Sequence, residues 1–195
     1  MCFIKTYSGL QVELLEPRAD QIELEDIAHG LAMKCRFSGQ TNQFYSVAEH
    51  SVRVAYLLLE MYQNPLLAMA GLMHDAAEAY LPDIATPLKR IIQGFHVIEE
   101  GLMQVITLKF KLPPPVITQF KIKLADRTLL VTEGRDLMAW DLSEAWCQDF
   151  PPPMKIEIRP LPWADAKAIF LKTYLDLQAR IRAYDAEANE LEQVA

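Results

Sequence analysis

His74 and Asp75 interrupt a segment whose apolar residues, Leu67, Ala70 and Leu81, mark a buried helix face. Adjacent helix residues stand about 100° apart, so both side chains meet at one spot only near the edge of that face. Glu78 follows His74 by four and Asp75 by three, which puts it on the same surface. His50 shares a stripe with Val47, Val54 and Leu57, and Asp126 shares one with Ile122, Leu129 and Leu130. Ionisable groups buried without partners are costly, and a cation is the simplest compensation. Two imidazoles and two carboxylates from three helices make a mixed nitrogen and oxygen donor set. Such a set suits a catalytic transition metal with open positions better than a closed structural zinc.

Taken singly, each residue has a plainer reading. His50 alone is a core histidine bonded to a carbonyl, and Glu78 alone faces solvent. Asp126 alone pairs with Arg127 or a helix N-terminus. A His-Asp dipeptide alone carries little. The combination on buried stripes is what points to a metal. His29 reads as structural, and His96 as a surface or supporting residue rather than a ligand.

Helices must hold these groups, because only seven glycines punctuate the chain and helical periodicity dominates between them. The first helix is expected over about 25–34. Ser46 with Glu49 three residues on forms a capping box that opens a helix to about 62. Asn64-Pro65 opens the next, to about 81, and Thr86-Pro87 a short one ending near 94. Further helices are expected over 95–110, 116–138 and 162–186. Leu10–Leu15 and Lys155–Arg159 read as short strands that pair with each other. The expectation is one all-α domain over 1–195, with a minor two-stranded β element at one edge.

At 195 residues the chain is long enough for one core without disulfides or a structural metal. Its 51% hydrophobic and 23% charged residues exclude a disordered chain. The longest uncharged apolar runs, such as Leu66–Met73, fall far short of the roughly 18 residues that span a membrane. The opening Met1-Cys2-Phe3-Ile4-Lys5 has no secretory pattern, so a cytoplasmic protein is expected. Three widely spaced cysteines give neither a disulfide framework nor a paired-cysteine zinc site. Of the net charge of −7, Asp185, Glu187, Glu190 and Glu192 contribute −4. No Lys/Arg block exists to release counterions from long nucleic acid, whereas one or two placed cations suffice for a small phosphorylated ligand. No glycine-rich phosphate loop is present, which excludes a P-loop NTPase.

His50 on one helix, His74-Asp75 on the next and Asp126 on a later one resemble the HD-domain metal-dependent phosphohydrolases. Phe44-Tyr45-Ser46-Val47-Ala48-Glu49-His50-Ser51, His74-Asp75-Ala76-Ala77-Glu78 and Asp83-Ile84-Ala85-Thr86-Pro87-Leu88-Lys89 are similar to the compact bacterial HD-type 5'-deoxynucleotidases. Phe3–Gly9 and Cys35-Arg36-Phe37 look like prophage-borne members of that group. The likeness covers residues 3 to 138. It implies an HD-domain helical bundle with its core over about 25–138 and a C-terminal helix over about 162–186. It also implies one divalent transition metal (Mn²⁺, Co²⁺, Fe²⁺, Ni²⁺ or Zn²⁺) held by His50, His74, Asp75 and Asp126. Glu78 and Asp83 would act around the phosphate and the attacking water, and Arg36 would bind the phosphate; Lys89 is either a further phosphate contact or an ordinary first-turn surface residue. Phe37 stands where the family often has a Trp against the deoxyribose. No Lys follows His74-Asp75 closely, which favours one metal over two.

The implied activity is hydrolysis of the 5'-phosphate of deoxyribonucleoside monophosphates. The alternatives are a dNTP triphosphohydrolase on the same scaffold, a non-catalytic nucleotide sensor, and a plain helical interaction protein. Apolar positions Ile169, Leu175 and Leu177 exceed what one face of a small bundle needs, so a homodimer or higher homo-oligomer is expected.

Overall fold

The computed structural model describes residues 2–194, apart from the side chains of Val116, Asp185 and 187–194. The acidic tail read from the sequence therefore lies outside the described side chains. Among the described residues seven α-helices carry the chain: α1 (Leu24–Ala32), α2 (Val47–Tyr62), α3 (Pro65–Leu72), α4 (Thr86–Lys89), α5 (Phe95–Lys109), α6 (Pro115–Leu137) and α7 (Trp163–Val194). No described helix is long and apolar enough to cross a membrane.

Two of the helix starts use the expected caps, whereas α4 begins at Thr86 after Ala85 with no side-chain cap. The Glu49 carboxylate takes Arg53 and the Leu161 amide instead of closing a capping box. Ser46 Oγ accepts the Glu49 amide at 3.1 Å and caps α2, while Asn64 Oδ1 accepts the Leu67 amide at 2.9 Å and caps α3. α3 is apolar all round and runs through the middle, packed against α2, α6 and α7. Gly71 permits the close approach to α2, since a Cβ there would overlap the side chain of Leu58. One cluster joins Ile27, Leu31, Val47, Leu72, Met73, Leu102, Ile106 and Phe170. A second joins Val54, Leu58 and Leu67 to Ala125 and Leu129, which fixes α6 against α2 and α3. Leu177 is buried in the first cluster, whereas Leu175 stands exposed on α7.

Two expectations are corrected. The β element is a hairpin of β1 (Phe3–Lys5) and β2 (Gln11–Glu13), antiparallel with Ile4 opposite Val12. Residues 155–159 form no strand, because side chains at the end of α6 take their backbone hydrogen bonds. Arg135 Nη2 donates to the Ile156 carbonyl at 2.5 Å, and the Ile158 amide donates to Asp136 Oδ2 at 2.8 Å.

The second correction concerns the Pro65 helix, which ends at Leu72 rather than 81. His74 Nδ1 donates to the Gly71 carbonyl at 2.7 Å and takes an acceptor the helix would otherwise use. The chain then tightens into a 3-10 turn over Ala76–Ala79, with Glu78 N bonded to the Asp75 carbonyl at 2.9 Å. Likewise α4 stops at Lys89, short of 94, and α7 continues past 186 to Val194.

Candidate metal centre

The break after Leu72 builds the site. Residues i and i+3 of a 3-10 turn eclipse one another, so the turn sets Asp75 and Glu78 on one side. His50 comes from the first turns of α2 and Asp126 from the middle of α6. Each of His50, His74 and Asp75 offers a ligand atom, and the three atoms lie within 4.8 Å of one another. Asp126 closes the cluster from α6, with Oδ1 at 3.2 Å from His50 Nε2. His74 Nε2 lies 3.2 Å and His50 Nε2 4.0 Å from Asp75 Oδ2.

The donor state of both rings follows from their other nitrogens. His74 Nδ1 faces a carbonyl, which only accepts, so it carries the proton. His50 Nδ1 donates to Glu133 Oε1 at 2.6 Å. Both Nε2 atoms are therefore lone pairs in the neutral rings. Both are buried, and neither makes an aligned hydrogen bond. Two orphaned imidazole nitrogens facing two carboxylates fit a divalent cation.

Glu133 was not found from the sequence. It is fully buried and accepts three bonds: from His50 Nδ1, from the Tyr45 hydroxyl at 2.8 Å and from Arg36 Nε at 3.1 Å. Burial raises its pKa, but Arg36, His50 and Tyr45 outweigh burial and hold it below the usual glutamate value. A carboxylate behind a ligating imidazole fixes the ring's tautomer and orientation. The signal lay in its register, seven residues after Asp126 on the same helix face.

Burial and Arg36 oppose a charged His50, yet Glu133 and Asp126 prevail and raise it to about 9. Asp126 is pushed up by burial but held well below the usual aspartate value by His50, His74 and Arg36. The same negative surroundings that hold a proton on His50 Nε2 would hold a cation there.

Arg36 is buried, with Nε on Glu133 and Nη1 3.7 Å from Asp75 Oδ2. Its charge therefore lies beside the carboxylate cluster. Phe37 has a positive φ of 54° and presents its ring to Arg36, 5.3 Å away, and edge-on to Trp140 at 5.7 Å. Trp140 lies on Gly134, where a Cβ would overlap its ring.

Glu78 is buried, with Oε1 taking the Lys89 ammonium at 2.9 Å and Oε2 left without a partner. Burial, Asp75 and Asp83 raise it to about 8, against the pull of Lys89. Lys89 is shared with Glu99 Oε1 at 2.7 Å, so it reaches the site through Glu78. Asp83 is raised by burial and Asp75, although Arg36, Lys89 and His50 pull it down. Lys34, which the sequence reading passed over, donates to the Ala79 carbonyl at 2.8 Å and steadies the 3-10 turn. His96 is exposed and pairs with Glu100, and His29 stacks on Tyr7. Neither belongs to the cluster.

The HD domain family matches residues 47–108, the stretch that holds His50, His74 and Asp75. The chain is 37% identical over 179 residues to the uncharacterized protein YfdR of Escherichia coli strain K12, covering 91% of this chain and 96% of that one. This chain belongs to the HD-domain family. An uncharacterized protein of Rhodobacter capsulatus is 38% identical over 147 residues, covering 71% of this chain and 74% of its own length. HD domains bind divalent metals and carry metal-dependent phosphohydrolase chemistry. The helical bundle and the triad of His50, His74 and Asp75 agree with that membership.

Proposed function

We propose that the protein removes the 5'-phosphate of deoxyribonucleoside monophosphates, with one divalent transition metal on His50, His74, Asp75 and Asp126. The observation that carries the metal-dependent part is the pair of buried, unpartnered Nε2 atoms facing carboxylates. A bound divalent cation supplies Lewis acidity at a phosphoryl oxygen and a water acidic enough to attack near neutral pH. The deoxynucleotide part rests on the likeness of the His50, His74-Asp75 and Asp83 segments to that enzyme group.

Arg36 neutralises charge on the phosphoryl oxygens from a position fixed by Glu133. Glu78 holds a proton at neutral pH, and its Oε2 has no other partner, so it is the donor to the departing 5'-oxygen. Lys89 positions Glu78 through Oε1. Asp83, which burial and Asp75 raise against the pull of Arg36, Lys89 and His50, orients the water. Phe37 is set against the sugar by the resemblance, beside Arg36. A cytoplasmic homo-oligomer belongs to the same reading, supported by Leu175 exposed on α7, and sedimentation velocity tests it.

The deciding experiment is a product assay with Mn²⁺ or Co²⁺. Each deoxy- and ribonucleoside is offered as mono- and triphosphate, with Asp75→Ala and a chelator as controls. Free phosphate from deoxymonophosphates, lost in both controls, is the expected result. Inorganic triphosphate from dNTPs would move the activity to the triphosphohydrolase. Silence on both with metal bound would favour a sensor.

A further inference from the structure

Residues 82–94 form a strap beside the metal cluster. α4 lies in its middle, between Pro82 and Gly94, whose positive φ of 80° turns the chain into α5. The strap buries almost no apolar surface. Leu88 is 47% and Ile91 74% exposed, and no residue of 82–94 joins an apolar cluster. Yet it carries Asp83, which stands close enough to Arg36, Asp75 and His50 to feel their charges.

Among the described residues, Lys89 is the one side chain that ties the strap to the rest of the chain by hydrogen bonds. Its Nζ donates to Glu78 Oε1 at 2.9 Å and to Glu99 Oε1 at 2.7 Å. It also stands 5.7 Å from the centre of the Phe95 ring, within cation–π range. Phe95 and Glu99 are four residues apart on α5 and so share one side of that helix. α5 is itself anchored, with Leu102 and Ile106 in the main core and the 3-10 turn packed against it. The neighbouring charges are engaged elsewhere. Lys34 holds the Ala79 carbonyl, and Glu100 pairs with the exposed His96. A segment held by one ammonium group, with no apolar surface beneath it, opens locally before the fold does.

We infer that Glu99 is a positioning residue: it holds Lys89 and, through it, keeps the 82–94 strap closed with Asp83 at the metal cluster. What the closure does for turnover rests on the nucleotidase reading, whereas the closure itself does not.

Trypsin reads the opening in chelated protein, because Arg90 is exposed in the strap and cleavage after it follows the open population. Glu99→Ala is expected to speed that cut about fivefold, while cleavage after Arg53, inside α2, keeps its wild-type rate. Glu99→Gln keeps an oxygen at the same reach and should fall between the two. Glu100→Ala, the next residue on α5, should match wild type. In the metal-loaded enzyme Glu99→Ala should lower kcat for deoxymonophosphates about three- to tenfold. Mn²⁺ affinity and the inhibition constant of inorganic phosphate should stay unchanged, because Glu99 bonds Lys89 and none of the four proposed ligands or Arg36. Wild-type cleavage or wild-type kcat in Glu99→Ala, an equal gain in Glu100→Ala, or a loss of metal affinity would overturn the inference. Failure of the nucleotidase reading is seen separately, as wild-type protein that hydrolyses no deoxymonophosphate while the tryptic cut still responds to Glu99→Ala.

Discussion

Glu133 Oε1 stands 2.6 Å from His50 Nδ1, and through that contact α6 sets the orientation of a ring that α2 carries. The same carboxylate group receives the Tyr45 hydroxyl and Arg36 Nε, so one buried charge orients both the His50 imidazole and the Arg36 guanidinium. Glu133→Gln keeps the shape and removes the charge. Metal affinity is expected to fall about 10–100-fold, measured by competition with a chromophoric chelator. An unchanged affinity would show that the ring is held by packing alone.

Glu78 gives a pH signature in chelated protein. Its pKa rises from 4.5 to about 8 on folding, so between those values the native state binds a proton the unfolded chain has lost. Its protonation therefore favours the native state, and that contribution fades as pH rises through 8. Glu78→Gln cannot ionise. Its melting temperature should match wild type near pH 5 and exceed it at pH 8.5, while phosphate release falls. A variant less stable than wild type at pH 8.5 would mean that the Lys89 contact outweighs the burial of the charge.

The residues of the cluster were legible in the sequence because charged groups on apolar stripes are conspicuous, and the caps at Ser46 and Asn64 placed the helices that carry them. The end of α3 was hidden. No Gly or Pro directly follows Leu72, and the cause is a hydrogen bond from the His74 side chain to the Gly71 carbonyl. Glu133 was hidden for another reason. It shares its helix face with Asp126, yet its meaning depends on three partners 83 to 97 residues away in the chain. The pairing of 10–15 with 155–159 failed because alternation marks a half-buried extended chain and does not name its partner. Arg135 and Asp136 supplied the hydrogen bonds that a strand would have given.

Gly134 tests whether Trp140 supports the site from behind Phe37. A methyl group at Gly134 would overlap the indole. Gly134→Ala should therefore displace Trp140, at a cost of about 1–3 kcal/mol typical of overpacking. The measurements are denaturant unfolding and the tryptophan emission spectrum. A shifted spectrum with wild-type metal affinity is expected, since Glu133 contacts His50 independently of the indole. Unchanged emission would show that the ring lies elsewhere in solution.

Proton and metal compete for His50 Nε2. In the metal-free protein Glu133 and Asp126 raise His50 to about 9, against 6.5 for the free side chain. Protonated His50 thus stabilises the metal-free fold fully below pH 6.5, and that stabilisation is lost as pH climbs through 9. Glu78 acts in the same direction, so chelated protein should melt lower at pH 9 than at pH 6. Binding Mn²⁺ or Co²⁺ displaces the proton, and apparent affinity should rise about tenfold per unit below pH 9. Metal at 100 times its Kd adds about 2.7 kcal/mol, or roughly 5–10 °C in a chain of this size. Asp75→Ala should abolish that gain. A metal affinity flat between pH 6 and 9 would place the cation away from His50 and remove the basis for the proposed ligand set.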